Sequence, residues 1–182
     1  MIKIWGVLLL AVGLYFLSSC TLEGKEMAIF DDTDIKADER MGQVVDAIKA
    51  HDKEVLKSMF SEKALNEADD LDSSLEHLFE FIRGDIISWE DSGGSGASGE
   101  IEAGRVTLKE VDTYYYVITD KQKYFFYIKD CHIDYEHPEN VGFSLILVVR
   151  AEEEEKIYAK NQKKIFDGEG KLSPVGICIP FE

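Results

Sequence analysis

Apolar residues recur with helical spacing in the first half of the chain and with strand spacing in the second. Met41, Val44, Val45 and Ile48 fall at i, i+3, i+4 and i+7, one stripe of a helix. Asp52 is placed to cap a second helix that buries Val55, Leu56, Met59 and Phe60. Leu71, Leu75, Leu78, Phe79 and Ile82 form a third stripe, with Asp69, Asp70 and Asp72 at its start and Gly84 at its end. After Gly84 the period changes. Ile86–Trp89 reads as a short strand, Ser92–Gly99 as a flexible connection, and Glu100–Val111 as one strand. Tyr114–Thr119 and Lys123–Tyr135 read as a hairpin turning at Asp120-Lys121-Gln122. His137-Pro138-Glu139-Asn140 makes a turn. Val141–Arg150 follows as a strand with Phe143, Leu145, Leu147 and Val149 on one face. Glu152–Glu155 reads as a solvated turn or helix start, Asp167-Gly168-Glu169-Gly170 as a loop, and Val175–Ile179 as a last edge strand bounded by prolines. Helices first and consecutive antiparallel strands afterwards predict an α+β fold: three N-terminal helices packed on one face of a curved sheet.

The amino end has a different pattern. One cation, Lys3, precedes an apolar run from Val7 to Leu17, and Leu17-Ser18-Ser19-Cys20 closes it. Such a run suits export and is short for a bilayer span, which needs about 20 residues. The ending resembles a lipobox, the processing site of bacterial lipoproteins. The resemblance implies that residues 1–19 are a signal peptide and that Cys20 carries a diacylglyceryl group. It places the protein at the cell membrane, lipid-anchored on the extracytoplasmic face. Residues 20–30, polar and without period, then read as a tether, and residues 31–182 as a single domain.

Composition narrows the partners. The 182 residues carry a net charge of −16, and removing the leader deletes only one cation from that count. An acidic surface disfavours nucleic acid, which needs a basic stripe, and attracts basic partners. Twenty aromatic residues and 45% hydrophobic content exclude a disordered chain. Besides Cys20 there are Cys131 and Cys178. They are either two buried thiols or one disulfide, which would close a loop of about 47 residues and stabilise by roughly 4 kcal/mol.

Motifs for chemistry are weak. Gly94–Gly99 has the spelling of a dinucleotide fingerprint, but acidic residues flank it and Glu100-Ile101-Glu102 continues as strand, not helix. Asp70 and Asp167 each open an acidic run, but neither has Gly at the sixth place and Glu at the twelfth of a calcium loop. His51, His77, His132 and His137 lack zinc spacing. Cys131 and His132, neighbours on a strand, would face opposite ways. No metal or other cofactor is expected.

Asp46-Ala47-Ile48-Lys49-Ala50-His51-Asp52 followed by Val55–Ser61 resembles the opening of the nuclear-transport-factor-like, or cystatin-like, superfamily. With the lipobox, the chain is similar to small bacterial lipoproteins of unassigned function. The resemblance runs from about Phe30 to the C-terminus and implies a cone-shaped roll. Steroid isomerases of that superfamily use a carboxylate and a phenol in an apolar cavity. Candidates for such a pair are Tyr114, Tyr115, Tyr116, Tyr124, Tyr127 and Tyr135 with Asp112, Asp130, Asp134 and Glu136, and spacing selects none of them. The expected function is a non-catalytic binding or interaction module for a small molecule or a protein. The alternatives are an isomerase- or dehydratase-type enzyme, and an inhibitor or immunity-type lipoprotein for a basic partner.

Overall fold

The computed structural model describes residues 32–93, 95–158 and 174–181. Helices come first: α1 (Thr33–Ala50), α2 (Lys53–Ser58), α3 (Glu62–Glu67) and α4 (Leu71–Phe81). Strands β1 (Ile86–Asp91), β2 (Gly96–Glu102), β3 (Arg105–Thr119), β4 (Lys123–Asp134) and β5 (Gly142–Arg150) follow. The short helix α5 (Glu154–Ile157) and strand β6 (Gly176–Cys178) come last, and 3-10 turns at Pro138–Asn140 and Ala151–Glu153 flank β5. Five α-helices are therefore present among the described residues, not three. The addition before the sheet is α3. Its start is fixed by Ser61, whose hydroxyl accepts from the Ala64 amide at 3.1 Å. Asp52 and Asp70 cap α2 and α4 as their positions predict, accepting from the amides of Val55 and Ser73.

The strands form one open, curved sheet in the order β1-β3-β4-β5-β6. β3 is long enough to hold two partners on one edge: β1 pairs with Tyr115–Thr119 and β2 with Arg105–Asp112. The segment expected as a flexible connection thus contributes Gly96–Gly99 to β2, and the strand expected over Glu100–Val111 is broken by a two-residue hairpin. Ala103 and Gly104 sit at φ 48° and 84° there, the pair of positive values that a tight hairpin of this twist needs. β6 pairs with β5 in parallel, whereas consecutive antiparallel strands were expected. The chain from Arg150 to Gly176 is long enough for the crossover that a parallel pair requires.

Both faces of the sheet are apolar. Met41, Val44 and Ile48 of α1, Leu56 of α2 and Leu75 and Leu78 of α4 pack on Tyr115, Val117, Tyr124, Phe126, Ile146 and Val148. Phe125, Tyr127, Leu145, Leu147 and Val149 line the opposite face with Ile157 of α5. This explains why β5 is buried on both sides rather than alternating.

Phe143 does not share a face with Leu145. β5 carries one extra residue between the pairs Lys129–Leu145 and Asp130–Phe143. That bulge turns Phe143 onto the helix face, where its ring meets Phe60 edge-on at 5.9 Å. Phe60 and Phe143 also form a parallel bridge, with Ser61 N–H donating to Phe143 O and Phe143 N–H to Met59 O. Gly142, at φ 121°, allows this approach. A Cβ there would lie 2.7 Å from Ser61 N.

Candidate functional site

A second bulge sits in β4. Between the pairs Lys109–Ile133 and Glu110–Cys131, β4 carries one extra residue, His132. The two bulges bracket Asp130, at the end of the sheet where β3, β4 and β5 pass under α1. Alternation along β4 puts Asp130 in the row of Tyr124, Phe126 and Ile128, toward the helices.

Asp130 is 5% exposed and has two partners. From α1, the Arg40 guanidinium forms an ion pair through Nε with Oδ2, and its Nη2 donates to Oδ1 at 3.2 Å. Nη2 also donates to Met59 O at 3.3 Å, and the guanidinium lies 4.3 Å from the centre of the Phe143 ring. His132 Nε2 lies 3.0 Å from Asp130 Oδ2. The Arg40 guanidinium therefore ties α1 to both bulged strands, to β4 through Asp130 and to β5 through the Phe143 ring.

Beside it is a cleft of about 560 Å³. Its charged lining is Lys36, Glu39 and Arg40 of α1, Asp32 just before it, and Lys109 and Asp130 from the sheet, with the His132 imidazole beside them. Val106, Ile133 and Val141 supply apolar wall. Lys109 is a buried lysine whose ammonium is 3.5 Å from Asp32 Oδ1. Asp32 precedes α1 without capping it by a side-chain hydrogen bond. Its carboxylate turns instead to Lys36 at 2.9 Å and to Lys109. Lys36 holds the Asp32 carboxyl below the usual carboxylate range. A cavity of about 210 Å³ shares Asp130 and Cys131 with the cleft.

The phenols named from the sequence are placed elsewhere. Tyr127 donates to Asp112 at 2.8 Å on the face away from the helices, with Tyr114 stacked on its ring at 5.2 Å. Tyr116 donates to Glu154. Tyr115 donates to Asp38 of α1 at 2.9 Å, and Tyr124 donates to Phe81 O at 3.0 Å while accepting from the Arg83 amide. Tyr135 is exposed under Arg105. Burial, and then Asp38, pushes the Tyr115 phenol up; burial, and then the Asp112 charge, does the same to Tyr127. The Glu154 hydrogen bond, and then burial, pushes Tyr116 up to about 12. Tyr115, Tyr116, Tyr124 and Tyr127 are fixed donors, and none of the six phenols lines the cleft.

Of the carboxylates, Asp112 meets Tyr127, and Asp130 meets Arg40 and His132. Asp134 accepts from Asn140 and from the His137 amide, which hold it below the usual range, and Glu136 is exposed. The interior between helices and sheet is filled by residues such as Leu56, Leu75, Leu78 and Phe126, so the polar groups converge at the end of the sheet and not in a closed cone.

Cys131 is a buried thiol, pushed up to about 11 by burial and then by Asp134. No disulfide joins Cys131 to Cys178. Cys178 is level with Leu147 and Tyr127, two strands away and four positions along β4 from Cys131. That is roughly 13 Å along the strands and about 10 Å across them. A disulfide needs Cα atoms within about 7 Å. Cys20, the signal peptide and tether expected over residues 1–30, and the loop at Asp167–Gly170 lie outside the described residues. No helix among the described residues is long and apolar enough to cross a membrane.

Sequence reasoning passed over Arg40, Lys109, Asp32 and the coupling of His132 to Asp130. A signal existed for two of them. Arg40 lies three residues after Ala37 and four before Val44, on the edge of the buried stripe of α1. Lys109 stands in the inward row of β3 with Val111, Thr113, Tyr115 and Val117. A charge in a buried row is the informative exception.

Much of this framework, from the second half of α1 to the end of β5, falls within one family match. Residues 43–151 match the family described as Domain of unknown function (DUF5104). The chain belongs to that family. The DUF5104 match takes in Lys109, Asp130 and His132 and begins just after Arg40, so the α1 side of the cleft is only partly within it. No curated protein matches the chain.

Proposed function

We propose that this protein is a lipoprotein held to the extracytoplasmic face of a membrane through acylated Cys20, and that its domain binds a ligand in the cleft between α1 and the ends of β3 and β4. The leader supports the first half: a short apolar run ending in Leu-Ser-Ser-Cys. Two acyl chains give stable attachment where one does not, so the anchor holds despite the acidic surface. We read the domain as a nuclear-transport-factor-like roll. What favours this is the order of helices before a curved sheet, with the short Phe60–Phe143 bridge between them.

One observation carries the binding half: a cleft whose inner charged groups, Arg40, Lys109 and Asp130, are held by partners rather than left to solvent. Arg40 and Asp130 lock each other, and bulges fix the strand ends. Pre-positioned polar groups beside apolar wall are what a small-molecule site needs. A second reading, an isomerase- or dehydratase-type enzyme, is favoured by the 3.0 Å pair of Asp130 and His132.

The test has two arms. Cys20→Ala should move the protein from the membrane fraction to the soluble fraction; retention in membranes would refute the anchor. For the cleft, thermal shifts are read with a panel of anionic, neutral and cationic small molecules. Val141→Trp, which places bulk at the exposed rim, should abolish the saturable shifts seen with the native chain. Shifts unaffected by Val141→Trp, or none at all, would refute binding there.

A further inference from the structure

Apart from the cleft, we propose that the free margin of the sheet along β1 receives a cationic, extended peptide segment of another molecule, which adds to the sheet as a further strand. β1 and β2 lie along the same side of β3, and among the described residues no strand pairs with the outer side of either. Ser92 N–H donates to Tyr114 O at 2.9 Å. An antiparallel ladder alternates, so the N–H and C=O of Trp89 and Asp91 point away from β3. Ser88, Glu90 and Asp91 are exposed, which leaves this margin open to solvent. Backbone groups on an open edge are a template for another chain, with main-chain hydrogen bonds giving affinity and side chains giving selectivity.

Charge selects the occupant. Open edges are commonly closed by a lysine or a proline. From Asp85 to Gly104 the chain has neither, and no arginine. The stretch carries Asp85, Glu90, Asp91, Glu100 and Glu102 instead, all of them exposed. The cations near it are turned elsewhere or offset one carboxylate. Lys123 of β4 pairs with Glu90 at 3.0 Å, Arg105 lies over the Tyr135 ring, and Lys109, level with Gly99, is buried. Arg83 stands before the start of the stretch. The margin is therefore negative. A second copy pairing about a two-fold axis would set this acidic stretch against itself, and like charges across a ladder are unfavourable. A segment rich in Lys or Arg meets carboxylates on both β1 and β2 and is steered toward them.

Shape sets the place. Ile87 is an extra residue between the pairs Ile86–Thr119 and Ser88–Ile118, and this bulge interrupts the ladder. Regular pairing then runs over Ser88–Asp91. The bulge leaves Ile87 66% exposed at the end of that run, where an aliphatic side chain of the incoming strand would cover it. Trp89 packs edge-on against Tyr115 at 5.4 Å and holds β1 to the body of the sheet.

The experiment uses the full chain in neutral detergent and a synthetic heptapeptide of alternating lysine and valine, capped at both ends. One control is the same peptide with every backbone amide N-methylated, which keeps the charge and loses the donors. The other replaces lysine by glutamate. Binding is read by anisotropy of the dye-labelled peptides, and the edge by amide hydrogen exchange. In the free chain the amides of Trp89 and Asp91 should exchange fast, and those of Glu90 and Ser92, which face β3, slowly. The lysine peptide should bind saturably, weaken as salt is raised, and slow the Trp89 and Asp91 amides by about tenfold or more. The N-methylated peptide should bind about tenfold or more weakly, the loss of two or more ordinary hydrogen bonds, and the glutamate peptide not at all. No binding of the lysine peptide, equal binding of either control, or slow exchange of Trp89 and Asp91 in the dilute free chain would overturn the inference. Protection of those amides that rises with protein concentration alone would put a second copy on the edge and overturn the peptide. Peptide binding that Val141→Trp removes would move the peptide to the cleft and overturn the edge.

Discussion

Replacing Arg40 by Met should destabilise the domain by about 3 kcal/mol. Asp130 is buried, and without the guanidinium its carboxylate keeps His132 as its remaining side-chain neighbour. Breaking a buried ion pair by removing one partner costs about 3–5 kcal/mol. Arg40 is one-third exposed, so solvent screens part of this and about 2–3 kcal/mol is the appropriate range. Losing the cation from the Phe143 ring adds about 0.5–1 kcal/mol. Met keeps most of the aliphatic length, so packing along α1 is little changed. Urea unfolding of the wild type, Arg40→Met, Asp130→Leu and the double variant completes a cycle. The double variant should recover to within about 1 kcal/mol of wild type, because a buried pair exchanged for apolar residues is close to neutral. A single-variant loss below about 1 kcal/mol, or two single losses that simply add, would refute the claim that this pair locks α1 to the bulged strands.

Gly142→Ala should cost about 2–4 kcal/mol by urea unfolding, since φ 121° is strained for alanine and its Cβ would press on the Met59–Ser61 backbone; a neutral effect would contradict the close approach described for β5. Cys131, with its thiol at about 11, should resist iodoacetamide near pH 8 in the folded chain and react once unfolded; alkylation at the rate of an ordinary thiol would contradict its burial. Tyr115 and Tyr127 have raised folded values, so their stabilisation is complete below the ordinary phenol range near 10 and is lost as pH rises through it toward the folded values. Their phenolate absorbance should therefore appear together with loss of near-ultraviolet circular dichroism, and titration of both in a folded chain near pH 10 would contradict the assignment.

The helices were legible because capping and periodicity agree. Asp52 and Asp70 cap where their positions say, and the stripes of α1 and α4 face the sheet. Val55 is the exception: α2 is too short to bury both it and Leu56. β2 was illegible because its strand character comes from its partner. Gly96–Gly99 has the composition of a linker, yet Gly99 passes so close to β3 that a Cβ would sit 2.0 Å from Leu108 O. Small residues there permit contact rather than motion. Phe143 was assigned to the wrong face because alternation assumes an unbroken ladder, and a bulge has no sequence signature of its own.

The site was legible in outline only. Asp130 and His132 were both named, and period-2 alternation puts them on one face, but His132 was set only against its neighbour Cys131 and never paired with Asp130, 3.0 Å away. Arg40 is 90 residues away in sequence from Asp130, a pairing that a single sequence cannot reveal. The abundant tyrosines drew attention to the sheet faces, where they turn out to be donors satisfied by Asp38, Asp112 and Glu154.

Mapping backbone amide shifts of the full chain while the anionic, neutral and cationic small molecules of the panel are added would probe the cleft most directly. Perturbations should cluster at Val106, Lys109, Ile133, Val141 and Gly142 and leave Tyr114 and Phe125, on the far face of the sheet, unmoved. Perturbations centred on that far face, with the α1 end of the sheet silent, would contradict the placement of the ligand under α1.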